Sequence, residues 1–256
     1  MSAFAGTDAA APPRRRRWPW VLGIALVLVV ALVAAFFIVD ATLRGVAETR
    51  VRDEIVQQIP GASADEVHVQ IGGASVIAQY LSGRFERIDL TGSGVEVGGV
   101  SLNAKVRAEG VPVDTSKPVD TVKGVVNLDE KAVNALLAAA GRNDTVTLGA
   151  GTVTYEVTRT FLGIPLTFTV TAVPTAAGDA ITFTPKSAEA AAGGVSLDVS
   201  SLVDQVVSSE GFSVCIADSL PQGVRLDDVT VTPKALTAAF SAREFVLKDA
   251  GTTGSC

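Results

Sequence analysis

The sequence predicts an α+β protein, an antiparallel sheet covered by a few amphipathic helices and preceded by one transmembrane helix. Three observations carry this. Beyond Gly61 the dominant hydrophobic period is two, the mark of strands with one apolar and one wet face. Only a few short stretches repeat at helical spacing. Residues 21–39 form 19 positions without a single charge.

At 1.5 Å per residue a helix of that length spans roughly 28 Å, close to the ~30 Å hydrocarbon thickness of a bilayer. Arg14 to Arg17 precede it, and Trp18 and Trp20 sit where interfacial aromatics belong. Residues 1–17 read as a disordered, basic cytoplasmic tail, 18–39 as a signal anchor, and 40–256 as an extracytoplasmic domain. The rival reading is a cleaved signal peptide, with Val33-Ala34-Ala35 offering a cut before Phe36. The apolar run continues past that point through Val39, which favours the anchor.

Leu43, Val46, Val51, Ile55 and Ile59 recur at helical spacing, and Pro60-Gly61 ends that helix. A short helical turn fits Ser75 to Leu81. Asp129 can cap EKAVNALLAAA, closed by Gly141, and residues 200–209 read as a further helix closed by Gly211. The clearest strands are Val100 to Glu109 and Leu166 to Ala172. Shorter alternating runs are Val67–Ile71, Ile88–Leu90, Val153–Val157, Ile181–Phe183, Val195–Val199, Val229–Val231 and Phe245–Leu247. Gly98-Gly99, Gly163-Ile-Pro165, Ala177-Gly-Asp179 and Gly193-Gly194 supply turns.

Apolar residues make up 48% of the 256 positions, and mean hydropathy is +0.38, so the chain is not disordered throughout. Residues 40–256 carry 17 Lys and Arg against 26 Asp and Glu, a net charge of −9. No nucleic-acid partner is expected from such a balance. Bulk charge does not draw this domain to anionic headgroups either, so any lipid contact must come from an apolar cavity or a local basic patch. Cys215 and Cys256 are the only cysteines; in an oxidising compartment an even pair reads as a disulfide, against the alternative of two unrelated thiols.

Catalytic and metal-binding patterns do not emerge. The one histidine, His68, lies on the wet face of the alternating run Val67–Ile71. Gly92-Ser93-Gly94 is followed by Gly98, one residue too far for a dinucleotide loop. Asp227 and Asp228 are neighbours in a strand and point to opposite faces. Asn143-Asp-Thr145 matches a glycosylation sequon. The chain reads as non-enzymatic, with no cofactor and no metal. A one-faced sheet with few helices either encloses a solid core or keeps an elongated apolar cavity, and such a cavity suits acyl chains.

The segment from Tyr80 to Asp114, with Leu81-x-Gly83-Arg84-Phe85, two alternating strands about a glycine turn and Gly110-Val-Pro-Val113, resembles the LmeA-like family of phospholipid-binding envelope proteins. GVVNLDEKAVNALL and the ending CIADSLPQGVRLDDVTVTPKALTAAFSAREFVL are similar to that family too, so the resemblance covers roughly residues 42–250. It implies a curved sheet wrapped against helices, similar to tubular lipid-binding folds. It also implies a phospholipid or glycolipid partner and a role in envelope lipid or lipoglycan maintenance. The candidate lipid contacts are then Leu81, Phe85, Ile88, Leu90, Val100, Leu102, Val106, Leu166, Phe168 and Val170 on the apolar sheet face. Arg84 is a candidate phosphate contact, since guanidinium binds phosphate in a fork; the alternative is an ion pair with Glu86 or Asp89. The second functional reading is an envelope scaffold with a closed core.

Overall fold

The structure, a computed structural model, describes residues 18–58, 61–97, 99–139, 141, 144–161, 164–192, 195–198 and 211–256. The chain divides into two compact units at Thr42/Leu43. Helix α1 (Trp18–Gln58) contains a stretch long and apolar enough to cross a membrane. Residues 26–39 of this helix are all exposed, as expected where the covering medium is lipid rather than protein. A signal sequence near the N-terminus has the same length and composition.

In the second unit, Val51, Ile55 and Val56 of α1 pack on Val67, Val69 and Val95. Strand β1 (Val67–Ile71) follows, with its apolar residues buried and His68 and Gln70 exposed. Helix α2 (Val76–Ser82) is opened by Ser75, whose Oγ accepts from the Ala78 amide at 3.1 Å, and closed by Gly83 in the left-handed conformation at φ 79°. Strands β2 (Arg84–Val97), β3 (Val100–Pro112) and β4 (Pro118–Leu128) run as a meander. Helix α3 (Glu130–Ala139) starts where the Asp129 carboxylate accepts from the Ala132 amide at 2.7 Å.

The later strands are β5 (Thr145–Leu148), β6 (Val153–Phe161), β7 (Ile164–Ala176), β8 (Ala180–Ala192), β9 (Val195–Asp198), β10 (Phe212–Cys215), β11 (Arg225–Thr232) and β12 (Ala235–Val246). They divide between two antiparallel sheets. The first has the order β1-β2-β3-β4-β12-β11, and the second β10-β8-β7-β6-β5 with β9 beside β8. Neither sheet closes on itself. They are joined where the Leu226 amide donates to the Gly178 carbonyl at 2.8 Å, across the β7–β8 turn. A disulfide joins Cys215 to Cys256 and ties the last residue to the second sheet.

One edge of each sheet is covered by helix side chains. At β1, Arg44 of α1 donates to the Ile71 and Gly73 carbonyls at 2.8 and 3.0 Å, and the Ile71 amide donates to Glu48 at 2.8 Å. At β5, Asn134 of α3 exchanges two hydrogen bonds with the Val146 backbone at 2.7 and 2.8 Å, and the Leu148 amide donates to Glu130 at 2.9 Å. These contacts satisfy backbone groups that an open edge would leave available for aggregation.

Most sequence expectations recur, with differences. Phe245–Leu247 is not wholly strand: β12 ends at Val246, and Leu247 begins a 3₁₀ turn. Strands β4, β5, β10 and most of β12 were not anticipated, β5 and β10 because four residues show little periodicity and the others because Gly124 and runs such as Ala238-Ala239 blur the alternation. The helix expected at 200–209, the tail at 1–17, the turns at Gly98, Gly163 and Gly193-Gly194, and Asn143 of the sequon lie outside the described residues.

Candidate functional site

Strand register assembles the apolar residues of the first sheet into continuous cross-strand rows. Ile71, Ile88, Ala108, Val122 and Ala242 form one, and Val69, Leu90, Val106, Gly124, Phe240 and Leu226 the next. Val67, Gly92, Ala104, Val126, Ala238 and Val229 form a third; beyond it Leu128 pairs with Leu236 and Leu236 with Val231. Antiparallel pairing with a side-chain period of two puts each row on one face. A bulge between Gly92 and Val95 restores Val95 and Leu102 to that face, where Val95 packs with Val67 and Val69.

The second sheet continues the pattern. Val146, Tyr155, Val170 and Ala188 are in register, as are Val157, Phe168 and Ala190. The two faces meet in a cluster of Val146, Leu148, Val153 and Val231, with Val133 and Leu137 of α3 packed against it. The second unit is thus an open α+β protein with one apolar face extending across two sheets.

Cover over this face is uneven. At β1 and around the α3 cluster the apolar residues are buried. Between them Ile88, Leu90, Leu102, Ala104, Val106, Val122, Val126 and Phe240 are only half-buried and Phe168 is 38% exposed, while Ala238 and Ala242 of the same rows are buried. The most deeply buried large residues of the face, Ile71, Leu148 and Leu226, lie on its marginal strands. Gly124 sits in the middle of the uncovered rows. A Cβ there would meet Val106 Cγ2 at 3.7 Å, an ordinary contact, so this point accepts the start of a side chain.

The wet face carries the charges. Asp89 accepts from Arg107 at 2.6 Å and pairs with Arg87 at 3.0 Å. The carboxylate raises the Arg107 pKa further above its ordinary value. In the β3–β4 turn the Ser116 hydroxyl and amide hold Asp114 below the usual carboxylate range.

Of the sequence candidates, Ile88, Leu90, Val100, Leu102 and Val106 lie on the apolar face of the first sheet, and Leu166, Phe168 and Val170 on that of the second. Two do not. Leu81 belongs to α2, not to a strand, and is 79% exposed. Phe85 pairs with Val111 and is three residues from Ile88, so alternation along β2 separates it from the Ile88–Leu90 face. Arg84 pairs with Asp120 on β4 rather than with Glu86 or Asp89. Val122, Gly124, Val126, Leu236 and Phe240, central to the face, were missed with their strands.

A family model for LmeA-like phospholipid-binding proteins matches residues 38–241, and the chain belongs to that family. The match covers most of the chain, including β1 to β11 and the start of β12. No curated protein and no solved structure matches it. The family supports lipid binding, and the N-terminal apolar helix is compatible with anchoring.

Proposed function

We propose that the chain is a membrane-anchored, non-enzymatic protein that holds the acyl chains of a phospholipid or glycolipid against this apolar face, outside the cytoplasmic membrane, in the upkeep of envelope lipid or lipoglycan. The observation that carries the reading is the half-buried centre of a face built from Val, Leu, Ile, Ala and Phe. Leaving it bare to water forfeits about 25 cal/mol per Å² that a lipid chain would recover. The cluster Arg14 to Arg17 before the span supports an inside N-terminus and an exported domain. The Cys215–Cys256 disulfide supports an oxidising compartment. Binding needs no reacting group, which agrees with a family described by binding rather than by a reaction.

The test is lipid analysis of the full chain extracted in mild detergent, with uptake from liposomes measured alongside. Co-isolated phospholipid or glycolipid is expected, with diacyl lipid exchanged from liposomes. Protein consistently free of lipid and unable to take it up would favour the closed scaffold.

A further inference from the structure

One end of the first sheet exposes apolar side chains that the apolar face does not include. The sheet is antiparallel, so the start of β2, the end of β3, the start of β4 and the end of β12 coincide there. Tyr80 and Leu81 of α2 lead into β2 and are 61% and 79% exposed. Val113 follows β3, its amide bonded to the Gly83 carbonyl at 3.0 Å, and Leu247 follows β12; both are exposed.

These residues are held out on a rigid support. Buried Gln79 of α2 donates to the Gly72 and Ser75 carbonyls at 2.9 and 3.1 Å, and its Oε1 accepts from the Glu86 amide at 2.7 Å. Gly83 then stops the helix in a fixed left-handed turn. Leu81 therefore has no slack with which to fold back onto the protein.

The second unit also begins at this end. Arg44, one residue after the division at Leu43, donates to the carbonyls of Ile71 and Gly73, just before α2. A chain anchored through residues 18–39 has only a few residues between its span and this contact. We infer that the Tyr80–Leu81–Val113–Leu247 tip is a docking surface for the interface of a lipid bilayer, and that it sets the sheet end against the membrane from which lipid is drawn. The inference rests on the lipid-binding reading for the identity of its partner.

Charge at the tip is balanced. Arg84, Lys117 and Lys248 stand against Asp114, Asp120 and Asp249. Docking is therefore apolar and interfacial, with Tyr80 suited to the headgroup level, and needs no anionic lipid.

The test uses the full chain reconstituted in phosphatidylcholine vesicles containing a nitroxide-labelled lipid. Both native cysteines are in the disulfide, so Val113→Cys can carry an environment-sensitive dye alone. Lys234→Cys, in the turn between β11 and β12 at the opposite sheet end, is the reference. Emission at 113 is expected to be blue-shifted and several-fold more quenched than at 234. The difference should persist at about 1 M salt, where the Debye length is roughly 3 Å. Tyr80→Glu with Leu81→Glu should bring 113 down to the level of 234 without moving the melting temperature, since both residues are exposed. Equal quenching at 113 and 234, or quenching at 113 unmoved by the double variant, would overturn the inference. Lipid co-isolated after detergent extraction reads the sheet face independently: its absence with quenching intact would sink acyl-chain binding and leave the docking tip standing.

Discussion

Val69 on β1 and Val106 on β3 are the same residue type on the same row of the same sheet, yet Val69 is 8% exposed and Val106 is left half-buried. The difference is made by the helices. The stretch of α1 around Val51 and Ile55 covers β1, and α3 covers the junction with the second sheet and reaches β3 and β4, whereas Leu90, Val106 and Val122 in the middle stay half-buried. Residue type therefore does not decide burial here; the placement of two helices does. The capped ends form a conventional core, and the middle keeps its apolar side chains only half-buried.

The largest effect should come from the capped end. Leu148 is 4% exposed within the α3 cluster, and Leu148→Ala should cost about 2–5 kcal/mol through lost contacts and a cavity. Val106→Ala in the half-buried middle should cost less, about 1 kcal/mol, because part of its side chain is already exposed. Denaturant midpoints of lipid-stripped protein would compare the two. Equal losses would mean that the middle is as closed as the ends.

The disulfide comes next. Cys215 and Cys256 are 41 residues apart, so removing the bond through Cys256→Ser should cost up to about 4 kcal/mol in the chain-entropy model. The bond pins the C-terminus to β10, an edge strand, and does not reach the uncovered rows. Lipid uptake by the fraction still folded should then match the unsubstituted protein. Thiol labelling of unreduced, denatured protein should find no free cysteine, and full labelling of both would refute the pairing.

A third substitution separates filling from folding. Gly124→Leu adds a side chain at the middle of the face, where a Cβ meets only ordinary contacts. Were the middle a packed core, overpacking would cost about 1–3 kcal/mol. With the middle open, the melting temperature should stay near that of the parent while lipid co-isolation falls several-fold. A large drop in melting temperature with lipid load unchanged in the folded fraction would support the closed scaffold instead.

How much of this could be read from the sequence follows the contrast between apolar and polar neighbours. Val100 to Glu109 alternates without a break, and β3 was placed to within a few residues. The capping residue Asp129 marked the start of α3, whereas the cap made by Ser75 at α2 is seen only in the structure. Strand β4 was lost to Val125-Val126 and Gly124, and β12 to alanines on both faces, since alanine gives no contrast. With them went half of the uncovered rows, including Phe240. Leu81 and Phe85 enter the candidate set through the family-like stretch Leu81-x-Gly83-Arg84-Phe85, which does not tell on which side of a strand a residue lies. The open middle itself was not legible, because periodicity reports which face is apolar and not what lies over it.

The smallest expected effect is on the wet face. Asp89 is shared by Arg87 and Arg107. Asp89→Asn would leave two guanidinium groups on adjacent strands without their common counter-charge. Both arginines are well exposed and solvated, so the loss of stability should be slight, and about 1 M salt should erase it by screening. Lipid uptake should not move, because Asp89 points away from the rows that include Leu90 and Val106. The comparison with Gly124→Leu makes this informative: one variant changes charge on the wet face, the other volume on the apolar face, three residues beyond Thr121 on a strand two removed. If Asp89→Asn reduced lipid load as much as Gly124→Leu, the ligand would be held by headgroup charge on the outer face. The apolar rows would then be an uncovered surface with another purpose.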